Sequence, residues 1–253
     1  MLRIENLEKR YRNSDKLAVD GVSLHVGEGE IFGFLGPNGA GKSTTIKCVC
    51  GILPFEKGRI EICGKDLARD PIGAKMQMGY VSDNHAVYDK LTAREYVNFM
   101  ADVYGVGAAD RKARSEKLVE LFCLGDAYDS EIKTYSHGMK QKICVIGALV
   151  HNPKLWILDE PMTGLDPKSS FELKELMREH CKEGNSVFFS SHVLEVVEKV
   201  CDHVAIINGG RMIADFGIDE LDDIKRNSSL EDVFLTLTDG SASAQNDGAT
   251  EAR

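Results

Sequence analysis

Residues 36–43 read Gly-Pro-Asn-Gly-Ala-Gly-Lys-Ser, the pattern G-x-x-x-x-G-K-[ST], between an apolar run ending at Leu35 and a helix-forming stretch. In that context the pattern is a phosphate cradle. Gly36, Gly39 and Gly41 allow the sharp turns that aim successive backbone N–H groups inward, with Pro37, Asn38 and Ala40 completing the loop. The helix that follows adds the positive end of its dipole. Lys42 is placed to reach the β- and γ-phosphates, the Ser43 hydroxyl to hold Mg²⁺, and Thr44 to make a secondary phosphate contact. A second acidic element is expected at the end of a buried strand, and residues 155–160, Leu-Trp-Ile-Leu-Asp-Glu, supply it. Asp159 is expected on Mg²⁺ through water, in the manner of a Walker-B aspartate. Glu160, one position further, can take a proton from the attacking water or orient it. The chemistry implied is hydrolysis of a nucleoside triphosphate.

The elements that must position these groups follow from periodicity. Residues 2–7 and 22–26 alternate as strands, and 30–35 is an apolar run ending beside the first loop glycine. A helix is expected from Lys42 to about Gly51, then an edge strand at 59–62. Between 92 and 104, Tyr96, Val97, Phe99, Met100, Val103 and Tyr104 recur at helical spacing behind a Thr92–Glu95 capping box. Further helices are expected at about 110–124 and 137–150, so residues 86–150 form a helical block inserted in an α/β chain. Apolar runs at 155–158 and 186–190 lack polar alternation, as strands buried on both faces of a parallel sheet do. Between them 167–181 is helical. Residues 204–207 and 211–214 form a hairpin through Asn208-Gly-Gly210. Short helices are expected near 219–226 and 229–237, followed by a disordered Ser/Ala/Gly/Asp/Asn-rich tail at 239–253.

Composition narrows the class. The chain has 253 residues, 43% hydrophobic and 28% charged, and 31 Lys+Arg against 40 Asp+Glu give a net charge of −9. That is ordinary for a globular protein and unfavourable for general binding to nucleic acid or anionic lipid. The seven cysteines are scattered without a C-x-x-C pair, which argues against a disulfide framework or a zinc site. No leader-like apolar run follows Met1, and no stretch reaches the roughly 18 apolar residues of a membrane span. The expectation is a soluble intracellular protein whose membrane role, if any, comes through a partner.

Tyr11, the loop at 36–43, residues 135–141 (Tyr-Ser-His-Gly-Met-Lys-Gln), residues 164–166 (Gly-Leu-Asp) and residues 190–192 (Ser-Ser-His) stand in a fixed order. On these landmarks the chain resembles the ATP-binding subunit of an ATP-binding-cassette (ABC) transporter, over roughly residues 2–238. The resemblance implies an α/β P-loop NTPase fold with an N-terminal antiparallel β subdomain, a parallel-sheet core and an inserted helical subdomain, one ABC-type domain over residues 1–238. It implies ATP and Mg²⁺ as cofactors, Tyr11 stacking on adenine, and His192 on the γ-phosphate. Two copies would sandwich two ATP molecules, each site pairing the P-loop of one subunit with the signature residues Ser136 and Gly138 and the D-loop Asp166 of the other. A homodimer is expected.

Signatures of the Ser-x-Gly-Met-x-Gln type, and a C-terminus like residues 229–235 (Ser-Leu-Glu-Asp-Val-Phe-Leu), resemble the bacterial multidrug, antibiotic-resistance and sodium exporter branch. There the ATPase docks under a separate integral membrane permease, which implies a cytoplasmic protein peripheral to the inner face of the membrane. The block carrying Asn84, Tyr88 and Leu91 would present a groove to a permease helix. Two departures stand out. His137 and Met139 replace a glycine and the glutamine of the family's Leu-Ser-Gly-Gly-Gln. At the Q-loop, Asn84 aligns with the usual glutamine one methylene shorter, with Asp83 as the alternative. The rival is a soluble ABC-type ATPase acting on ribosomes or nucleic acid. Sustained heptads, a second cassette and a basic footprint are each lacking for it.

Overall fold

The computed structural model describes residues 1–12, 14–84, 87–220 and Phe234. In chain order the strands and helices are β1 (Leu2–Arg10), β2 (Leu17–Val26), β3 (Ile31–Leu35), α1 (Lys42–Val49), β4 (Lys57–Ile62), β5 (Lys65–Asp66), α2 (Pro71–Lys75) and β6 (Met78–Val81). Then follow α3 (Ala93–Val103), α4 (Ala108–Leu121), α5 (His137–Leu149), β7 (Leu155–Asp159), α6 (Pro167–Lys182), β8 (Ser186–Ser191), α7 (Leu194–Val200), β9 (His203–Asn208) and β10 (Arg211–Gly217).

The strands form two sheets. One has the order β2-β1-β4-β5 and is antiparallel. Its inward positions on β1 are Leu2, Ile4 and Leu7, a spacing that breaks strict alternation. The reason is Asn6, whose left-handed backbone (φ 48°) coincides with a register shift, so that Leu7 is carried back to the core face. Strand β4 was expected at the sheet edge. It is interior, because Cys63 (φ 49°) and Gly64 (φ 76°) make a two-residue turn that folds the two-residue β5 against it.

The second sheet has the order β10-β9-β3-β8-β7-β6, parallel except for β10, which returns antiparallel on β9. Strands β3, β7 and β8 are buried along their whole length, which accounts for the absence of polar alternation along them. Phe32, Phe34, Ile157 and Phe188 pack on one face with Ile46 and Val49 of α1 and the inner side of the antiparallel sheet. Leu35, Trp156, Leu158 and Phe189 pack on the other, with α5 and α6. Each such side chain contributes about 1.5–3 kcal/mol. The face toward α5 runs without a break into the helical block, where Tyr96, Val97, Ile132 and Ile143 belong to the same cluster. The predicted capping box forms: the Thr92 side chain accepts from Glu95 N–H, and the Glu95 carboxylate accepts from Thr92 N–H.

Helix α2, strand β6 and helix α7 carry no clear periodic signal. Helix α7 has three valines in seven residues, poor helix formers on their own. It is held from below by β3: a Cβ at Gly33 would stand 2.6 Å from Cys201 Sγ and 3.2 Å from Val197 Cγ1, so only glycine leaves room. The helices expected near 219–226 and 229–237, and the tail at 239–253, fall outside the described residues. Exceptions are the turn at 218–220 and Phe234, which packs against the larger cluster.

Two histidines tie stability to pH. His151 stacks on Tyr104, with ring centroids 3.6 Å apart, and contacts the Met78 carbonyl through Nε2 at 3.1 Å. His180 sits edge-on to Trp156. Burial pushes both pKa values down to about 4 from the usual 6.5. The fold therefore favours their neutral forms, and this stabilisation is complete above about pH 6.5 and lost as pH falls toward 4. Carboxylates such as Asp66 and Asp129, held low by Arg59 and Arg94, titrate below that window. The unfolding free energy from urea titrations should therefore fall between pH 6.5 and 4. A His151→Phe/His180→Phe variant should lose about one proton of that slope per histidine; an unchanged slope would refute the assignment.

Candidate active site

The phosphate-loop geometry begins with a packing constraint. A Cβ at Gly36 would stand 2.3 Å from the Ile207 carbonyl, and one at Gly41 would stand 2.6 Å from the Ala18 carbonyl. Gly41 caps α1 with φ 111°, a conformation open to glycine alone. The loop is tied down by Ala40 N–H donating to the Pro37 carbonyl (3.2 Å) and by Gly210 N–H donating to the Ala40 carbonyl (2.9 Å). The β9–β10 turn thus supports the cradle from behind.

Lys42 is buried at 5% exposure, and its ammonium donates to the carbonyls of Gly36 (2.7 Å) and Pro37 (3.2 Å). It also lies 3.3 Å from Glu160 Oε1. The other carboxylate oxygen, Oε2, is 2.9 Å from His192 Nδ1. Glu160 is therefore gripped between a lysine and a histidine, on a backbone held at the left-handed φ of 50°. For a non-glycine residue that conformation costs on the order of 1–3 kcal/mol.

Asp159 ends the buried strand β7. Its Oδ1 accepts from Ser43 Oγ (3.1 Å) and Ser190 Oγ (2.6 Å), while Oδ2 is buried without a partner. Burial raises its pKa, and the two hydroxyls oppose that shift. An unpartnered buried acceptor costs about 1–3 kcal/mol. Next to a serine hydroxyl it is an oxygen donor set of the kind Mg²⁺ takes when substrate phosphates complete its shell. The residues present thus fit the ion.

Lys42, Ser43 and Glu160 line a cleft of about 480 Å³ with Tyr11, Asn38, Gly39, Thr44 and Asp83, and Asp159 lies behind it, bonded to Ser43. The Tyr11 hydroxyl lies 3.1 Å from Thr44 Oγ1, and the ring is 44% exposed, with the Lys9 ammonium 5.9 Å above it. Of the two Q-loop candidates, Asp83 lines the cleft; Asn84 is exposed and is not among the lining residues.

Ser136, Gly138 and Asp166 are not among the residues lining the cleft of the single chain. Ser136 caps α5, accepting from Met139 N–H at 3.3 Å. Asp166 caps α6, accepting from Ser169 N–H at 3.0 Å. The start of α5 and the segment before α6 are neighbours: a Cβ at Gly138 would stand 3.4 Å from the Gly164 carbonyl. The structure therefore gathers the predicted residues into two groups, the cleft and the α5–α6 corner. Sequence reasoning missed Ser190, which binds Asp159 and accepts from Glu160 N–H (3.0 Å). Its signal was a hydroxyl directly after the apolar Val187-Phe188-Phe189 of β8.

Comparison with known proteins identifies the family. Residues 19–163 match the family model described as ABC transporter. The linearmycin resistance ATP-binding protein LnrL of Bacillus subtilis (strain 168) is 39% identical over 214 residues, 85% of this chain and 68% of its own length. The ABC transporter ATP-binding protein NatA of the same organism is 32% identical over 239 residues, 93% of this chain and 97% of its own. The daunorubicin resistance ATP-binding protein DrrA3 of Streptomyces coeruleorubidus is 33% identical, covering 87% and 69%. The chain thus spans about two thirds of LnrL and DrrA3. A solved structure of an ATP-binding subunit of an ABC transporter superposes with a TM-score of 0.88 at 33% identity, covering 94% of this chain and 99% of that one. A dimeric ATP-binding cassette with ADP and Pi, 21% identical, shares the fold, with a TM-score of 0.78 and 86% and 99% covered.

Asp83 and Asn84 separate by experiment. Asp83→Ala should raise the Mg²⁺ concentration needed for half-maximal nucleotide binding several-fold, measured by titration calorimetry, whereas Asn84→Ala should leave it unchanged. The reverse pattern would assign the position to Asn84.

Proposed function

The chain belongs to the ABC transporter family as an ATP-binding, ATP-hydrolysing subunit, and from that premise we propose that two copies close around two ATP molecules to drive a separate membrane permease. The observation that carries this reading is Glu160, held between Lys42 and His192 beside the half-satisfied Asp159. A triphosphate entering the cleft would attract the Lys42 ammonium away from Glu160 Oε1. That would leave the carboxylate free to accept a proton from the attacking water, with His192 fixing its other oxygen. Ser43 Oγ and Asp159 Oδ2 would hold Mg²⁺, which supplies charge neutralisation between phosphate oxygens when bound. Tyr11 offers an exposed ring for the base.

The α5 end carrying Ser136 and Gly138 would meet the phosphates of the partner's nucleotide, with Asp166 beside it, so each site needs both copies. Dimer closure and reset are then a population shift between two states driven by binding and hydrolysis. Residues 1–238 would act as this single ABC unit, with 239–253 as a tail. On the helical block, Tyr88 and Phe99 are exposed and meet edge-to-face at 5.6 Å beside exposed Val103, an apolar surface for a permease helix. Leu91, expected to share that surface, is half-buried against the core instead.

No helix among the described residues is long and apolar enough to cross a membrane. Placement on the cytoplasmic face through the permease is therefore part of the proposal. So is export, for which relatives named for linearmycin and daunorubicin resistance and for Nod factor export give support.

Glu160→Gln should lower turnover by about 10²–10⁴-fold, the scale of a lost general base, and trap an ATP-bound dimer visible by size-exclusion chromatography. Unchanged turnover would remove Glu160 from its role. Lys42→Ala should abolish tight ATP binding itself. Affinity purification of the tagged chain from detergent-solubilised membranes of its host should recover a polytopic membrane protein in stoichiometric amount. Recovery with ribosomes instead would transfer the same site chemistry to the rival class.

A further inference from the structure

The segment from Glu160 to Asp166 carries the base at one end and the cap of α6 at the other. Within it the backbone bonds are Thr163 N–H to the Glu160 carbonyl (3.2 Å) and Leu165 N–H to the Met162 carbonyl (3.4 Å). One face of α5 grips it from outside. Gln141 is fully buried, and its Nε2 donates to the carbonyl of Pro161, the residue after the base. One turn earlier the His137 ring lies over Gly164 (φ +80°), so close that a Cβ there would stand 2.6 Å from Cδ2 and 3.0 Å from Nε2. Lys142 Nζ is 3.8 Å from Asp166 Oδ2. Positions 137, 138, 141 and 142 share one helix face by spacing.

The strained backbone of Glu160 explains why such a grip is needed. A left-handed non-glycine residue persists only where its surroundings over-determine it. Glu160 is pinned on one side by Ser190 Oγ at its N–H, and on the other by Gln141 at the next carbonyl.

We propose that Gln141 and His137 are positioning residues that tie the loop of Glu160 to α5. A displacement of the Ser136 end of α5 then moves the base of the same subunit. Because Ser136 is the end offered to the partner's nucleotide, one site's occupancy reaches the other subunit's base through this contact. The inference rests on the ATPase reading above.

The test compares steady-state kinetics, equilibrium ATP binding and melting temperature for Gln141→Met, His137→Ala and His137→Phe in the full chain. Methionine keeps the length of Gln141 and removes its donor. Gln141→Met should lower kcat about 10- to 100-fold, the cost of a misplaced catalytic group, with KM and ATP affinity within about twofold of wild type. His137 is exposed, so its variants should fold; alanine should lower kcat several-fold, and phenylalanine, which restores the ring over Gly164, should recover most of it. A kcat for Gln141→Met within about twofold of wild type, or an equal loss of ATP affinity, would overturn the proposal. Phenylalanine no better than alanine would remove His137, and if Gln141→Met does not fold, the His137 pair decides. A wild-type chain without ATPase activity would instead overturn the underlying reading, before any variant is compared.

Discussion

The carboxylate of Asp159 is nearly inaccessible and stands at the end of a strand whose other four residues are apolar. Such a group is tolerated only if its oxygens are matched. One oxygen is matched twice, by serines from the phosphate loop and from β8; the other has no partner among the described residues. Because those serines belong to different elements, the carboxylate fixes α1, β7 and β8 relative to one another. This one buried carboxylate thus ties three elements together behind the cleft.

Around it the electrostatics are arranged by position rather than by excess charge. The chain is acidic overall, yet its phosphate cradle is built from a helix N-terminus, turned amide groups and a single buried lysine. All are fixed dipoles or charges that need little reorganisation when an anion arrives. Glu160 sits where the same lysine and a histidine can share it. Both of its carboxylate oxygens are thereby held in place. The left-handed backbone beneath it is a strained feature at the chemical centre, stabilised by Ser190 on one side and the α5 face on the other.

The helical block is joined to this centre by packing as well as by chain connection. Its apolar side chains and those of the parallel sheet form one cluster. Motion of the block as a body must therefore work against, or carry along, the α5 face. The two groups of predicted residues, the cleft and the α5–α6 corner, are separate in one chain. The proposed pairing of two copies is what would bring them together.

Much was legible in advance because local rules were strong. Gly36 to Ser43, the apolar run into Asp159 and Glu160, the capping box at Thr92 and Glu95, and the hairpin through Asn208-Gly-Gly210 each encode their own geometry, and each stands where periodicity and turn chemistry put it. Strand β6, helix α7 and the interior place of β4 were not legible. A four-residue strand, a valine-rich helix on a glycine and a two-residue edge strand are stabilised by neighbours distant in sequence. The same division holds at the site. Residue identity alone determined which groups could bind phosphate, hold a cation and accept a proton. Only the tertiary structure decided that Asp83 rather than Asn84 lines the cleft, that Ser190 joins the two acids, and that Gln141 and His137 hold the base's loop. Those outcomes depend on which side chains from separate elements meet in space to satisfy buried polar groups, and no spacing along the chain records that.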